Sequence, residues 1–263
     1  MTILDKIIAD KKTESAIRKL LFPIAYLEKS PLFEKPTISL VKNLLNSNSG
    51  VIAEHKRRSP SKQNINNSLS VVDVVKGYES SGACGISILT DMKYFGGSIE
   101  DLNLARASSK LPLLRKDFII NEYQIIEAKA HGADVILLIS SILSQNEIRN
   151  LSIFTKKLGL EVLLEVHNLD ELNKSIMPSI DLFGVNNRNL KNFEVNLDNS
   201  RILASKIPNE FIKISESGIN NIKSIIDLKK YGYQGFLVGE NFMKANNPGK
   251  SAFEFIKKIE NEI

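Results

Sequence analysis

LLRKDFIINEYQIIEAKAHGADVILLI, residues 113–139, holds one complete strand–helix–strand unit. A short apolar run, Leu113–Arg115, closes on the charge of Lys116. The helical pattern NEYQIIEAKAHG follows and stops at Gly132, the residue type that leaves a helix through a left-handed turn. Val135–Ile139 is then apolar at every position, as a strand covered on both faces must be. A charge at the end of such a strand is costly unless it leaves the core into a functional mouth.

The same unit recurs in both directions along the chain. Apolar, β-rich runs occur at Val51–Glu54, Ile86–Leu89, Leu113–Arg115, Val135–Ile139, Val162–Val166, Leu182–Val185, Ile212–Ser215 and Gly235–Val238. Helical patterns separate them, clearest in VVDVVKGYES, SQNEIRNLSIFTKKLG, INNIKSIIDLKKYG and GKSAFEFIKKIENEI. Eight βα units without a linker or second composition regime predict an α/β fold, a closed (β/α)8 TIM barrel. A doubly wound sheet would carry a Gly-rich fingerprint after its first strand, where this chain has EHKRRSPSK. The expectation is one domain, 1–263, with an N-terminal helical extension over 1–48 and the barrel over 49–263. The extension fits either a plug under the barrel or a lid beside its mouth, and its pattern does not choose.

Among 263 residues, 43% are hydrophobic and 25% charged, an ordinary soluble composition. Apolar stretches such as VILLI are too short to span a bilayer, so no membrane association is expected. The single Cys84 allows no internal disulfide and fits a cytoplasmic location. The net charge of +5 is compatible with an anionic substrate or with a Lys-rich surface.

The strand ends carry the chemistry. Glu54 and Lys56 close VIAEHK, Lys116 closes LPLLRK, Glu165 closes LEVLLEV, Asn186 closes LFGVN, and Glu216 with Ser217 closes FIKISES. Side chains alternate along a strand, so Glu54 and Lys56 share one face while His55 points toward the helices as a packed histidine. Singly, each charge would be an unremarkable ion pair; gathered at one barrel end they describe an active site. His167 is the one histidine placed near it. No His, Cys or carboxylate spacing matches a metal site, so no metal is expected. SESGI after the seventh strand and VGENFM after the eighth put Gly218, Gly239 and backbone N–H groups where barrels bind phosphate, with Ser59 as a further donor. KRRSPSK is too short and too close to a strand to serve as a nucleic-acid surface.

At IAEHKRRSPSK, LLRKDFIINEYQIIEAKAHGADVILLI, LEVLLEVHNLDEL, GVNNRNLKNFEVNL, ISESGI and LVGENFM the sequence resembles the indole-3-glycerol phosphate synthases of tryptophan biosynthesis. The resemblance implies ring closure, decarboxylation and dehydration of 1-(2-carboxyphenylamino)-1-deoxyribulose 5-phosphate, a small phosphorylated substrate, with no cofactor. It implies Lys116 as general acid on the ketone oxygen, Glu165 as acid/base in dehydration, and Lys56 on the substrate carboxylate. Glu54 and Asn186 would position these groups, Arg188 would assist near the carboxylate, and Phe118 would pack on the anthranilate ring. Ser59, Glu216, Ser217, Gly218, Gly239 and Glu240 complete the implied substrate site, the last two through backbone N–H groups. It also favours the lid role for the extension and places other tryptophan-pathway enzymes on separate chains. Gln63, Asn189 and Glu240 depart from residues usual in the family; a required positive φ at Gln63 would cost about 1 kcal/mol. The rival barrel enzyme, phosphoribosylanthranilate isomerase, would use a Cys base, but Cys84 precedes the second strand and belongs at the opposite end. A binding-only protein would need the phosphate site but neither Lys116 nor Glu165.

Overall fold

Period-two alternation fixes what each strand sends inward. In the computed structural model, which describes residues 2–190 and 192–262, the strands are β1 (Val51–His55), β2 (Gly85–Leu89), β3 (Leu113–Lys116), β4 (Val135–Ile139), β5 (Glu161–Val166), β6 (Leu182–Asn186), β7 (Ile212–Glu216) and β8 (Gly235–Val238). They pair in parallel in chain order, and β8 closes on β1. Several run one residue further than the apolar runs indicate, so Lys116, Asn186 and Glu216 belong to the strands themselves.

The helices are α1 (Ile3–Leu21), α2 (Ile24–Leu27), α3 (Leu40–Leu45), α4 (Val71–Ser80), α5 (Met92–Phe95), α6 (Ile99–Ser108), α7 (Glu122–Ala130), α8 (Gln145–Lys157), α9 (Leu169–Asn173), α10 (Asp198–Ala204), α11 (Ile222–Lys229), α12 (Glu240–Met243) and α13 (Pro248–Glu262). Gly132, Gly159 and Gly232 end their helices with φ of 83°, 73° and 86°, as left-handed exits.

Two apolar layers follow from the alternation. Ile52, Leu114, Leu137, Leu163, Leu182, Ile214 and Leu237 fill the barrel interior. Val51, Ala53, Ile86, Ile136, Leu164, Phe183 and Phe236 face the helices. His55 is buried on that outer side and its ring nitrogens have no hydrogen-bond partner, so it is a packed neutral imidazole. Burial pushes its pKa down, and the nearby Arg57 adds to this.

The N-terminal extension does both jobs that its sequence left open. Helix α3 is the floor: Leu40 and Leu44 join the interior cluster, the Leu40 and Val41 N–H groups donate to Glu161, and Asn43 donates to the Cys84 carbonyl. All of these partners lie at the starts of strands. Helix α1 stands at the other end, where Ile3, Leu4 and Ile7 form part of the mouth. Lys11, 2% exposed, fastens it there through Asp91 and Asp117 at 3.0 Å each, just beyond β2 and β3.

Candidate active site

Carried to their ends, the inward positions leave Glu54, Lys116, Glu165, Asn186 and Glu216 as the top interior layer. They open into a cavity of about 630 Å³, and every residue proposed for the site from the sequence lines it. Barrel closure supplies the meetings that chain order hides. Lys116 Nζ is 3.0 Å from Glu165 Oε2 and 2.5 Å from Glu216 Oε2, joining β3 to β5 and β7 across the mouth. Asn186 Nδ2 donates to Glu165 Oε1 at 3.1 Å, and its own Oδ1 accepts from the Arg188 N–H. Lys56 Nζ donates to Glu54 Oε1 at 2.6 Å, while Ser87 donates to the other oxygen of Glu54.

One ammonium between two buried carboxylates sets the electrostatics. Burial alone would lower the Lys116 pKa, but Glu165, Glu216 and Glu54 outweigh it and hold the ammonium above its usual value. Burial likewise opposes ionisation of Glu165, yet Lys116 and His167 hold it below the usual carboxylate range. Glu216 goes the other way: burial raises it to about 7, Lys116 opposes, and the charge of Glu165 adds to the rise. Two carboxylates that share one cation therefore differ in their readiness to hold a proton.

Gly184 makes room for this arrangement, because a Cβ there would collide with Glu216 Oε1. The β7 exit is also special. Ser217 (φ 65°) and Gly218 (φ 79°) are consecutive left-handed residues, a conformation that costs a non-glycine on the order of 1 kcal/mol. Opposite them, Gly239 leads into the short α12, and Glu240 at its start is paired with Lys62 at 3.2 Å and Lys244 at 2.6 Å. Gln63 is not among the left-handed positions, which for described non-glycine residues are Phe193 and Ser217, so its feared backbone cost does not arise.

Arg57 and Arg58 fold back onto the barrel: Arg57 pairs with Asp101, and Arg58 donates to the Met92 and Lys93 carbonyls. Cys84 is buried at the bottom, far from any role as a base at the mouth. Among the described residues no group of three or more His, Cys, Asp or Glu side chains could hold a metal ion, and no helix is long and apolar enough to cross a membrane.

A family model described as Indole-3-glycerol phosphate synthase matches residues 4–255. The chain belongs to the indole-3-glycerol phosphate synthase family. The indole-3-glycerol phosphate synthase of Bacteroides thetaiotaomicron is 43% identical over 258 residues, 98% of this chain and 99% of that protein. That of Aquifex aeolicus is 44% identical over 217 residues, covering 82% and 84%. Among solved structures, 3-hexulose-6-phosphate synthase from Salmonella typhimurium superposes with a TM-score of 0.64 at 12% identity, over 81% of this chain and all (100%) of that one. At that identity it attests the barrel alone. As a member of the indole-3-glycerol phosphate synthase family the chain is a carboxy-lyase acting on a small phosphorylated substrate.

Beyond the residues read from sequence, the synthase cavity takes walls from Ile3, Leu4 and Ile7 of α1, Phe95 after β2, and Phe193 in the loop after β6. Phe95 stacks obliquely on Phe118, with ring centroids 6.0 Å apart. Ile3 and Ile7 carried a signal, the i, i+4 apolar spacing of an amphipathic helix. Lys62 and Lys244 carried none, because their importance lies in a shared partner, Glu240.

Proposed function

We propose that this chain closes the indole ring of 1-(2-carboxyphenylamino)-1-deoxyribulose 5-phosphate, releasing carbon dioxide and water to give indole-3-glycerol phosphate. The observation that carries the reading is the Lys116 ammonium, held charged between Glu165 and Glu216 at a cavity lined both by aromatic rings, Phe95 and Phe118, and by the cations Lys56 and Arg188.

In this reading Lys116 protonates the ketone oxygen as the aryl carbon attacks the ketone carbon. The ring is then cationic, and that positive charge is what draws the carboxylate off as carbon dioxide. Phe118, backed by Phe95, holds the aryl face against the ketone, and such orientation removes much of the barrier. Lys56 and Arg188 take the substrate carboxylate; Glu54 and Asn186 fix Lys56 and Glu165. Glu165 then takes and returns a proton as water is lost.

The phosphate is assigned to Ser59, Ser217, Gly218, Gly239 and Glu240. Ser217 and Gly218, consecutive left-handed residues, line the cavity and would meet the phosphate through their backbone N–H groups, and the charge of Glu240 is answered by Lys62 and Lys244. We place the chain in the cytoplasm, on the ground of its one free, buried cysteine. The test is direct: incubate the carboxyphenylamino-deoxyribulose phosphate with the protein in EDTA and follow indole fluorescence. Indoleglycerol phosphate is the expected product; saturable binding without product would overturn the assignment.

A further inference from the structure

Behind Glu165 lies a second contact that the proposed chemistry does not use. His167, at the exit of β5, brings Nε2 to 3.4 Å from Glu165 Oε1, and that nitrogen is buried without a hydrogen-bond partner. Its Nδ1 is 3.1 Å from Glu171 Oε2 on α9, and the same oxygen accepts the His167 backbone N–H. A carboxylate on Nδ1 fixes that nitrogen as a donor, so Nε2 is the end left to carry or give up a proton. His167 does not line the cavity. It touches Glu165 from outside, and Glu165 touches Lys116.

The proposed reaction creates a demand for such a contact. The substrate carboxylate leaves as neutral carbon dioxide and the ketone oxygen leaves as water, so each turnover consumes one proton beyond those exchanged internally. Lys116 donates that proton in the first step and has to regain it from solvent. Glu216 also touches Lys116 but offers no way out, because its side chain is 2% exposed. Lys116 is itself 13% exposed, but toward the cavity that the substrate fills; with that face occupied, exposure grows along the other branch, from 5% at Glu165 to 12% at His167 and 15% at Glu171.

We propose that the Glu171–His167 pair is the proton inlet of the site, with His167 a positioning and proton-supplying residue that acts through Glu165. The inference rests on the ring-closure reading above. The imidazolium gives its Nε2 proton to Glu165 Oε1; the carboxyl group then turns to bring that same proton to the Lys116 side, and Glu165 passes it to the neutral Lys116 amine. Glu165 ends unchanged, His167 is left neutral with Nδ1–H on Glu171, and it recovers a proton from a solvent or buffer acid. The charged groups around the ring are Glu165, Glu171 and Glu216, with Lys116 beyond them. Burial opposes the imidazolium, but the Glu171 hydrogen bond and these carboxylates outweigh it and raise its pKa.

The experiment is the pH profile of kcat for the wild type, His167→Gln and Glu171→Gln, each at several buffer concentrations. His167→Gln should lose roughly tenfold in kcat with KM nearly unchanged, less than the roughly 100-fold or more of a group that acts on substrate directly, because His167 acts through Glu165. Added imidazole should restore its rate in proportion to the imidazolium concentration. Glu171→Gln, which keeps the shape but removes the charge, should move the alkaline limb to lower pH. A His167→Gln enzyme with wild-type kcat and alkaline limb, or one whose loss no buffer acid repairs, overturns the inlet. Absence of product with the wild type would instead overturn the reaction on which it rests.

Discussion

The ammonium of Lys11 lies 3.0 Å from the carboxylate of Asp117, so the mouth helix α1 is pinned one residue past Lys116. Asp117 also accepts from Arg115 and Thr90, and Arg115 reaches Glu127 on α7, which makes the pin part of a buried ionic network. Lys11→Met would leave Asp91 and Asp117 buried with a charge missing. Breaking a buried pair in this way costs about 3 kcal/mol or more. Thermal denaturation should show a lower midpoint and steady-state kinetics a raised KM; an unchanged KM would mean that α1 is not a working wall of the site.

Lys116→Met should reduce turnover by at least about 100-fold, the contribution expected of a positioned general acid. Binding of the product, followed by its fluorescence, should weaken much less. Retained turnover would remove Lys116 from the chemistry.

Gly184→Ala tests the partner carboxylate without touching it. The new methyl would drive Glu216 away from Lys116, and a displacement of that kind costs on the order of tenfold or more in rate. Comparing kcat with the wild type decides it, and an alanine variant of full activity would show that Glu216 has room to spare.

Substrate lacking its phosphate should bind far more weakly than the intact compound. Equal affinities in a competition assay would dissociate Ser217, Gly218 and Gly239 from phosphate recognition.

Acid should destabilise the fold by a predictable route. Asp117, Glu127 and Glu165 have depressed pKa values in the folded state, because neighbouring cations outweigh their burial. Their stabilisation is present above the unfolded carboxylate range, near about 4, and is lost as pH falls through the lower folded values. Glu216 is raised, so its contribution is present below that range and disappears by about 7. The melting midpoint should therefore drop steeply below pH about 4 and decline gently between pH about 5 and 7 as Glu216 ionises. A midpoint that held steady into strong acid would contradict the ionic network.

Much of this architecture is legible in the chain because strand ends are local. Lys116 follows its own apolar run, as do Glu165, Asn186 and Glu216, and period-two alternation then fixes which way they face. What escapes the sequence is pairing across distance. Lys11 stands in the stripe Ile7, Lys11, Ser15, all buried, and as a sequence this is simply an amphipathic helix with a lysine on it. Its partners lie about eighty and a hundred positions away, and nothing local marks them. The extension resisted reading for a similar reason: α1 and α3 are both amphipathic, and only the barrel decides which of its ends each covers.

That division of labour has a practical side. The wall helix α1 and the floor helix α3 are joined by residues 22–39, which include α2 and, just after it, the exposed Lys29. A chain break engineered after Lys29 would leave the floor covalently attached to the barrel and turn the wall into a separate peptide. The result would be a two-piece catalyst, titratable by adding the peptide back, in which Lys11 with its two carboxylates serves as the docking code.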